Sequence, residues 1–322
     1  MFWENPVRAS TLEVVKKASL VKLNEKKIEE LADCWLASKI EVPLWPKSMH
    51  LQTNDPQMML DYLILLDSLN FCFWPKGQSR WEIWHNGEKY SGYYALAIAL
   101  KRFFEKHPEK ANLNYLRKIS FDEFRLWLQG GTNLLFLKMR WEITRRISDY
   151  LFWQYKGDSR NFLLEGKHRL ALLIPKIANE LYSFDDTAYY KGEKIYLWKR
   201  AQILAMDIHG AFGRKGLGAF KDPEYATAFA DYKLPQILFH FGILEYAPDL
   251  KKKINGGVML SFCAKEEVEI RSATVWAVEL LQGALKDRGR KLYPYEIDWL
   301  LWNESQKTKM AIPYHRTETI FY

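Results

Sequence analysis

Along most of this chain the apolar residues recur at the spacing of one helical face. After Asn24, a potential cap, Ile28, Leu31, Trp35 and Leu36 fall at i, i+3, i+7 and i+8. Asp55-Pro56 supplies a cap and a first-turn proline ahead of the stripe Met59, Leu63 and Leu66. The run "SFDE" at 120–123 is a capping box, and it predicts a helix that stops near Gly130-Gly131. Long amphipathic stretches predict further helices at about 134–156, 163–181, 198–212, 233–245, 266–287 and 294–304. Period-two alternation is scarce. "RWEIWHNGEKYSGYY" alternates around Asn86-Gly87, a strong hairpin signal, and "YYKGEKIYLW" (189–198) reads as a second small hairpin. One connection is long, roughly 210–228, and long connections are often functional. No linker, repeat or low-complexity tract interrupts the pattern. The expectation is one mostly α, helical globular domain over residues 1–322, with one or two small β-hairpins.

Composition changes this picture in three places. A chain of 322 residues can bury a sizeable core, yet 13 Trp, 18 Tyr and 18 Phe leave rings to spare for a pocket that stacks a flat ligand. Cys34, Cys72 and Cys263 are scattered, and no histidine or cysteine spacing suits a metal, so neither a disulfide framework nor a metal site is expected. The opening "MFWENPVRAS" lacks the pattern of a signal peptide, and no apolar run approaches the ~20 residues of a membrane span. A cytoplasmic protein without membrane association is expected. The formal charge of +8 favours anionic partners. Its densest run, Lys251–Lys253, has no interleaved aromatics and reads as a solvated helix end, so a small phosphorylated ligand fits the diffuse basicity as well as a nucleic acid does. "GRKGLG" (213–218) follows a helix and lacks the P-loop pattern, so it reads as a flexible loop.

Two acids stand in apolar, aromatic company. Asp231 lies in "FADYK", and a buried carboxylate there is costly unless paired, hydrogen-bonded or used. A helix cap, a buried ion pair and a catalytic group all remain open; Pro235 suits a first helical turn, and a cap would leave one oxygen free. Asp298 lies among Ile297, Trp299, Leu300 and Trp302, with Asn303 near the same side of the helix. It either pairs in the core or lines a pocket, where a carboxylate would accept two parallel N–H bonds from a guanine-like edge.

Long blocks of the chain then become recognisable: "LNFCFWP" (69–75), "YSGYYALAIALKR" (90–102), "WKRAQILAMDIHGAF" (198–212), "AFADYKLPQIL" (228–238), "EEVEIRSATVWAVELL" (266–281), "IDWLLWN" (297–303) and "PYHRTETIFY" (313–322). In order, from about residue 40 onward, they resemble the queuosine salvage protein family, the queuosine 5′-phosphate N-glycosylases/hydrolases. The resemblance implies hydrolysis of the N-glycosidic bond of queuosine 5′-monophosphate to queuine and ribose 5-phosphate. It implies a helical fold akin to DNA glycosylases, and no metal or organic cofactor. Carried over by residue, it makes Asp231 the catalytic acid, sets Phe229 against the base and makes Asp298 the base-reading acid. It also brings His50 of "WPKSMHL" and Lys199 of "WKRAQ" to the site. Asn303 stands where relatives often carry an acid, and its amide is expected to hydrogen-bond to a diol.

For such a reaction a carboxylate at Asp231 would stabilise or trap an oxocarbenium-like sugar. Lys199 is the first candidate for the 5′-phosphate, with His315 and Arg316 next; for Arg316 the alternative is an ion pair anchoring the end of the chain. The expected partners are the small molecules queuosine 5′-monophosphate and queuine, with a monomeric protein and no stable nucleic-acid partner. Two other readings use the same charge and rings: a non-catalytic nucleic-acid-binding module, and a glycosylase acting on a base flipped from DNA or RNA.

Overall fold

Caps written into the sequence start many of the helices. The computed structural model describes residues 5–74, 80–132 and 134–322. In it the Asn24 side chain accepts the Lys27 N–H to open Glu25–Ala37. Asp55 accepts two N–H groups ahead of Pro56–Ser68, and Ser120 accepts the Glu123 N–H ahead of Phe121–Trp127. Leu137–Gln154, Lys199–Ala211, Lys265–Asp287 and Pro294–Lys307 follow the amphipathic stretches closely. The fold is mostly α, as expected. Pro75 of the "LNFCFWP" block and residues 1–4 of the opening run lie outside the described residues.

Three expected elements differ, each for a tertiary reason. The stretch 163–181 is two helices, Ser159–Leu164 and Leu170–Glu180. Lys167 and His168 between them take positive φ, and the Asp222 carboxylate accepts the Leu170 and Ala171 N–H groups to start the second helix. The stretch 233–245 is helical only over Lys233–His240. Beyond Gly242, Leu244–Tyr246 pairs antiparallel with Val21–Leu23, a long-range ladder that local alternation could not announce. Phe121–Trp127 ends before the glycine pair, because Gly130 passes so close to Glu82 O and the Trp81 indole that a side chain there would collide.

Both expected hairpins form, Glu82–His85 with Glu88–Ser91 and Thr187–Tyr190 with Glu193–Tyr196. Each turns through two positive-φ residues, Asn86-Gly87 and Lys191-Gly192. Pro6–Lys17, Gly92–Lys106 and Pro248–Asn255 are helices beyond those expected. The lysine run lies exposed in the last turns of Pro248–Asn255, where cations suit the helix terminus. No helix among the described residues is long and apolar enough to cross a membrane.

Two apolar clusters organise the molecule. One gathers Pro56–Ser68, Gly92–Lys106, Leu137–Gln154, Leu170–Glu180 and Lys199–Ala211. The other gathers Glu25–Ala37, Lys233–His240, Pro294–Lys307 and much of Lys265–Asp287. A pocket opens where the two meet, lined by Asn70, Tyr93, Lys199 and Asp207 from the first side and by Asp231, Lys233, Asp298 and Asn303 from the second.

Candidate active site

Residues 227–231 cross this seam in extended form without a neighbouring strand, so their backbone groups need partners from side chains. Three helices supply them. Gln202 Oε1 accepts the Thr227 N–H (2.8 Å), Asp298 Oδ2 accepts the Phe229 N–H (2.7 Å), and Arg271 Nε donates to Ala230 O (2.9 Å). Arg271 is itself buried and held by Asp186 and Glu267, at 2.5 and 3.1 Å. Asp186 Oδ2 also accepts the Lys199 N–H (3.1 Å) and so starts Lys199–Ala211, whose Trp198 cap position offers no side-chain bond. One buried ionic group thus fixes the segment bearing Asp231 and the helix bearing Lys199 relative to each other.

Asp231 answers its own question in two parts. Its Oδ1 accepts the Lys233 and Leu234 N–H groups, at 2.7 and 2.9 Å, which caps Lys233–His240. The residue nonetheless lines the pocket, 9% exposed, so its carboxylate serves the helix and faces the cavity. Lys199 is buried nearby, its Nζ 3.4 Å from Asn70 O. Burial holds its pKa below the usual range, and the charge of Asp231 opposes that shift.

The floor is acidic. Asp298 is 3% exposed, and burial pushes its carboxyl well above the usual range against the pull of the Phe229 N–H. Because Oδ2 already accepts that N–H, less of the carboxylate is left for a ligand than a free two-oxygen reader would have. Asp207 also lines the pocket; Trp45 Nε1 donates to its Oδ1 (3.2 Å) and the Tyr93 hydroxyl to its Oδ2 (2.7 Å). Burial raises its pKa to about 6, opposed by those two bonds and the Lys199 charge. Behind it, Asp67 is fully buried and pushed up by burial and then by Asp207. Gly210 lets the Trp45 ring lie against Lys199–Ala211, since a Cβ there would stand 2.8 Å from the indole.

Sequence reasoning identified Asp231, Phe229, Lys199, Asp298 and Asn303, and the structure brings all five to one pocket. Asn303 Nδ2 donates to Trp299 O (2.7 Å), which orients its amide. His50 is corrected. It stands one layer back, fully buried, with Nε2 2.9 Å from the Tyr93 hydroxyl and its ring 4.1 Å from that of Trp45. Burial lowers its pKa to about 3, so it is a neutral support for two pocket residues. His315 is also buried, against Tyr322, with its pKa lowered to about 3, chiefly by burial. Arg316 lines an adjoining groove, its guanidinium 5.9 Å from the Trp74 ring.

The reasoning missed Trp45, Tyr93, Asp207, Arg80 and Lys233. Asp207 carried the same signal as Asp298, an acid inside an apolar helical run, and could have been found by it. Nothing local marks Arg80.

The pocket is a cleft that opens to solvent on one side. Trp45, Tyr94, Phe229, Trp299 and Trp302 are among its lining residues, side chains of the kind on which a flat base stacks. Carboxylates lie at the buried end, whereas exposed Arg80 and half-buried Lys233 lie toward solvent. The arrangement suits a ligand with an N–H-rich aromatic head and an anionic tail.

Comparison with known proteins agrees with that description. A family model described as queuosine salvage protein matches residues 49–322. A queuosine 5′-phosphate N-glycosylase/hydrolase from Sphaerobacter thermophilus is 38% identical over 317 residues, covering 98% of this chain and 97% of that protein. Proteins of the same description from Mus musculus and Dictyostelium discoideum are 33% and 32% identical, covering 82% and 83% of this chain and 82% and 79% of their own lengths. With a family match over most of its length and relatives that it covers almost end to end, this chain belongs to the queuosine salvage protein family.

Proposed function

We propose that this protein hydrolyses the N-glycosidic bond of queuosine 5′-monophosphate, releasing queuine and ribose 5-phosphate, and does so as one catalytic domain. The observation that carries the reading is the order of charges in the pocket: acids on an aromatic floor, cations at the mouth. The base enters first, its N–H edge toward Asp298 and its faces against Phe229 and the neighbouring rings. Asn303 bonds to a diol. As the bond to the base breaks, positive charge grows on C1′, and the Asp231 carboxylate, in an environment of low effective dielectric, stabilises it or traps it. Water adds its hydroxyl to C1′, and its proton balances the departing base. Lys199, buried in the same pocket, offsets part of the negative charge of the floor.

The 5′-phosphate is assigned to Arg80 and Lys233 rather than to Lys199, because Lys199 is buried beside Asp231 whereas Arg80 and Lys233 lie toward solvent. Binding energy from a remote phosphate can position the sugar and so raise turnover as well as affinity. Queuosine lacking the phosphate is therefore expected to be cleaved with a kcat/KM at least ~10-fold lower. Lys233→Ala and Arg80→Ala should narrow that difference by slowing the monophosphate more than the nucleoside. Initial rates on both substrates decide it; equal efficiencies in the wild-type protein would remove the phosphate site.

The same reading makes the protein a monomeric cytoplasmic enzyme that takes a small molecule rather than a nucleic-acid duplex. Much of its surface basicity is balanced locally, as in the pairs Lys16–Glu13, Lys27–Glu30, Lys253–Glu266 and Arg288–Asp33, and so gives little support to a broad face for DNA or RNA.

A further inference from the structure

A second cavity opens off the mouth of the first. Arg80, Lys233, Gln306 and Tyr314 line both, so the two are confluent. The second, about 1030 Å³ counted to its open side, adds Gln236, Ser305, Thr308 and Arg316. Its charges are of one sign. Arg80, Lys233 and Arg316 all line it, and none of its described lining residues is acidic. The Lys233 ammonium and the Arg316 guanidinium stand 5.3 and 5.9 Å from the centre of the Tyr314 ring. Like charges gathered along one cavity wall raise the local potential and attract an anion.

A different observation concerns hydrogen bonding. Gln236 is 7% exposed; its Nε2 donates to Ile312 O at 2.7 Å, while its Oε1 is buried without a partner. A buried acceptor without a partner, on a residue that lines a cavity, is a group that a ligand donor satisfies once the side chain turns toward it. Phosphate alone would not satisfy it, because a phosphate diester brings only acceptors; a sugar hydroxyl would.

The orientation of the main ligand links the two cavities. With the base at the acids and the 5′-phosphate at Arg80 and Lys233, whatever is esterified to that phosphate must leave through the shared wall. We infer that the second cavity is a subsite for a nucleotide joined by a phosphodiester to the 5′-oxygen of the bound queuosine. Arg316 assists Arg80 and Lys233 at the diester, and Gln236 Oε1 accepts a hydroxyl of the preceding ribose. The protein then releases queuine from the 3′-terminal position of a short oligonucleotide as well as from the monophosphate. The chemistry is unchanged: the C1′–N bond breaks, water supplies hydroxyl to C1′ and a proton to the base, and the phosphodiester stays intact.

This inference rests on the proposed function, and its test separates the two. Wild-type protein is given queuosine, queuosine 5′-monophosphate, queuosine 5′-diphosphate and uridylyl-(3′→5′)-queuosine, and free queuine is measured. The dinucleotide should be cleaved with a kcat/KM within ~10-fold of the monophosphate and well above the nucleoside. Arg316→Ala should lower the ratio of dinucleotide to monophosphate efficiency by ~10-fold, the loss of one charge-assisted contact. Binding of the same four compounds to Asp231→Asn gives a readout that does not depend on turnover. An inert monophosphate would overturn the proposed function, and the binding order would still decide the groove. A dinucleotide bound no better than the nucleoside overturns the subsite. So does an Arg316→Ala effect equal on both phosphorylated substrates, or a diphosphate accepted where the dinucleotide is refused.

Discussion

Asp231→Asn should lose at least ~100-fold in turnover while retaining its fold and its affinity for queuosine 5′-monophosphate, the scale set by removing one electrostatic partner of a transition state. The substitution is clean because of the cap. Asp231 Oδ1 accepts the Lys233 and Leu234 N–H groups, and an asparagine oxygen in that position accepts them equally well. What disappears is the negative charge presented to C1′. Asp231→Ala removes cap and charge together, and should cost about 1 kcal/mol of stability in addition. Comparing the two by thermal unfolding and by turnover separates the structural duty of this carboxylate from its chemical one. Turnover in Asp231→Asn near that of the wild type would assign the residue to capping alone.

Asp298→Ala should weaken the binding of free queuine by ~1–3 kcal/mol, roughly 5- to 150-fold in Kd, as expected when a buried hydrogen-bond partner is removed. The truncation acts twice. It removes the acid facing the base, and it leaves the buried Phe229 N–H without its 2.7 Å acceptor, which loosens the ring proposed to cover the base. Asp298→Asn keeps an oxygen for that N–H and isolates the first effect. Titration of queuine into both variants measures each part. An unchanged Kd in Asp298→Asn together with a weakened one in Asp298→Ala would show that Asp298 serves only to hold Phe229; unchanged values in both would make it a core residue.

How legible the site was depended on whether a residue's oddity was local. Asp231 and Asp298 stand out in a linear reading, since an acid among large apolar residues violates the ordinary pattern and demands a partner or a use. Asp207 obeys the same rule within "AMDIHG" and was overlooked beside more conspicuous neighbours. His50 misled for the opposite reason. A histidine near tryptophan and proline has no periodic mark to say whether it faces a cavity or backs one, and burial against Tyr93 and Trp45 put it behind. The candidates for the phosphate differ in depth: Lys199 and His315 are buried, while Lys233 and Arg80 lie toward solvent.

By itself the sequence determined that this is a mostly helical protein. It set the helix starts at Asn24, Asp55 and Ser120, the two hairpins with positive-φ turns, and the family. Each of these depends on side chains acting on backbone within a few residues, or on long blocks of identity. Only the tertiary structure decided where 163–181 breaks, that 244–246 pairs with 21–23, and which charges meet. Those outcomes depend on partners far away in the chain: Asp222 starting Leu170–Glu180, Arg271 reaching Asp186 and Ala230, and Asp298 holding Phe229. A backbone segment such as 227–231, without a strand beside it, is given its shape by side chains of three helices. Because the energy lies in contacts between residues tens to hundreds of positions apart, no local pattern could have announced it.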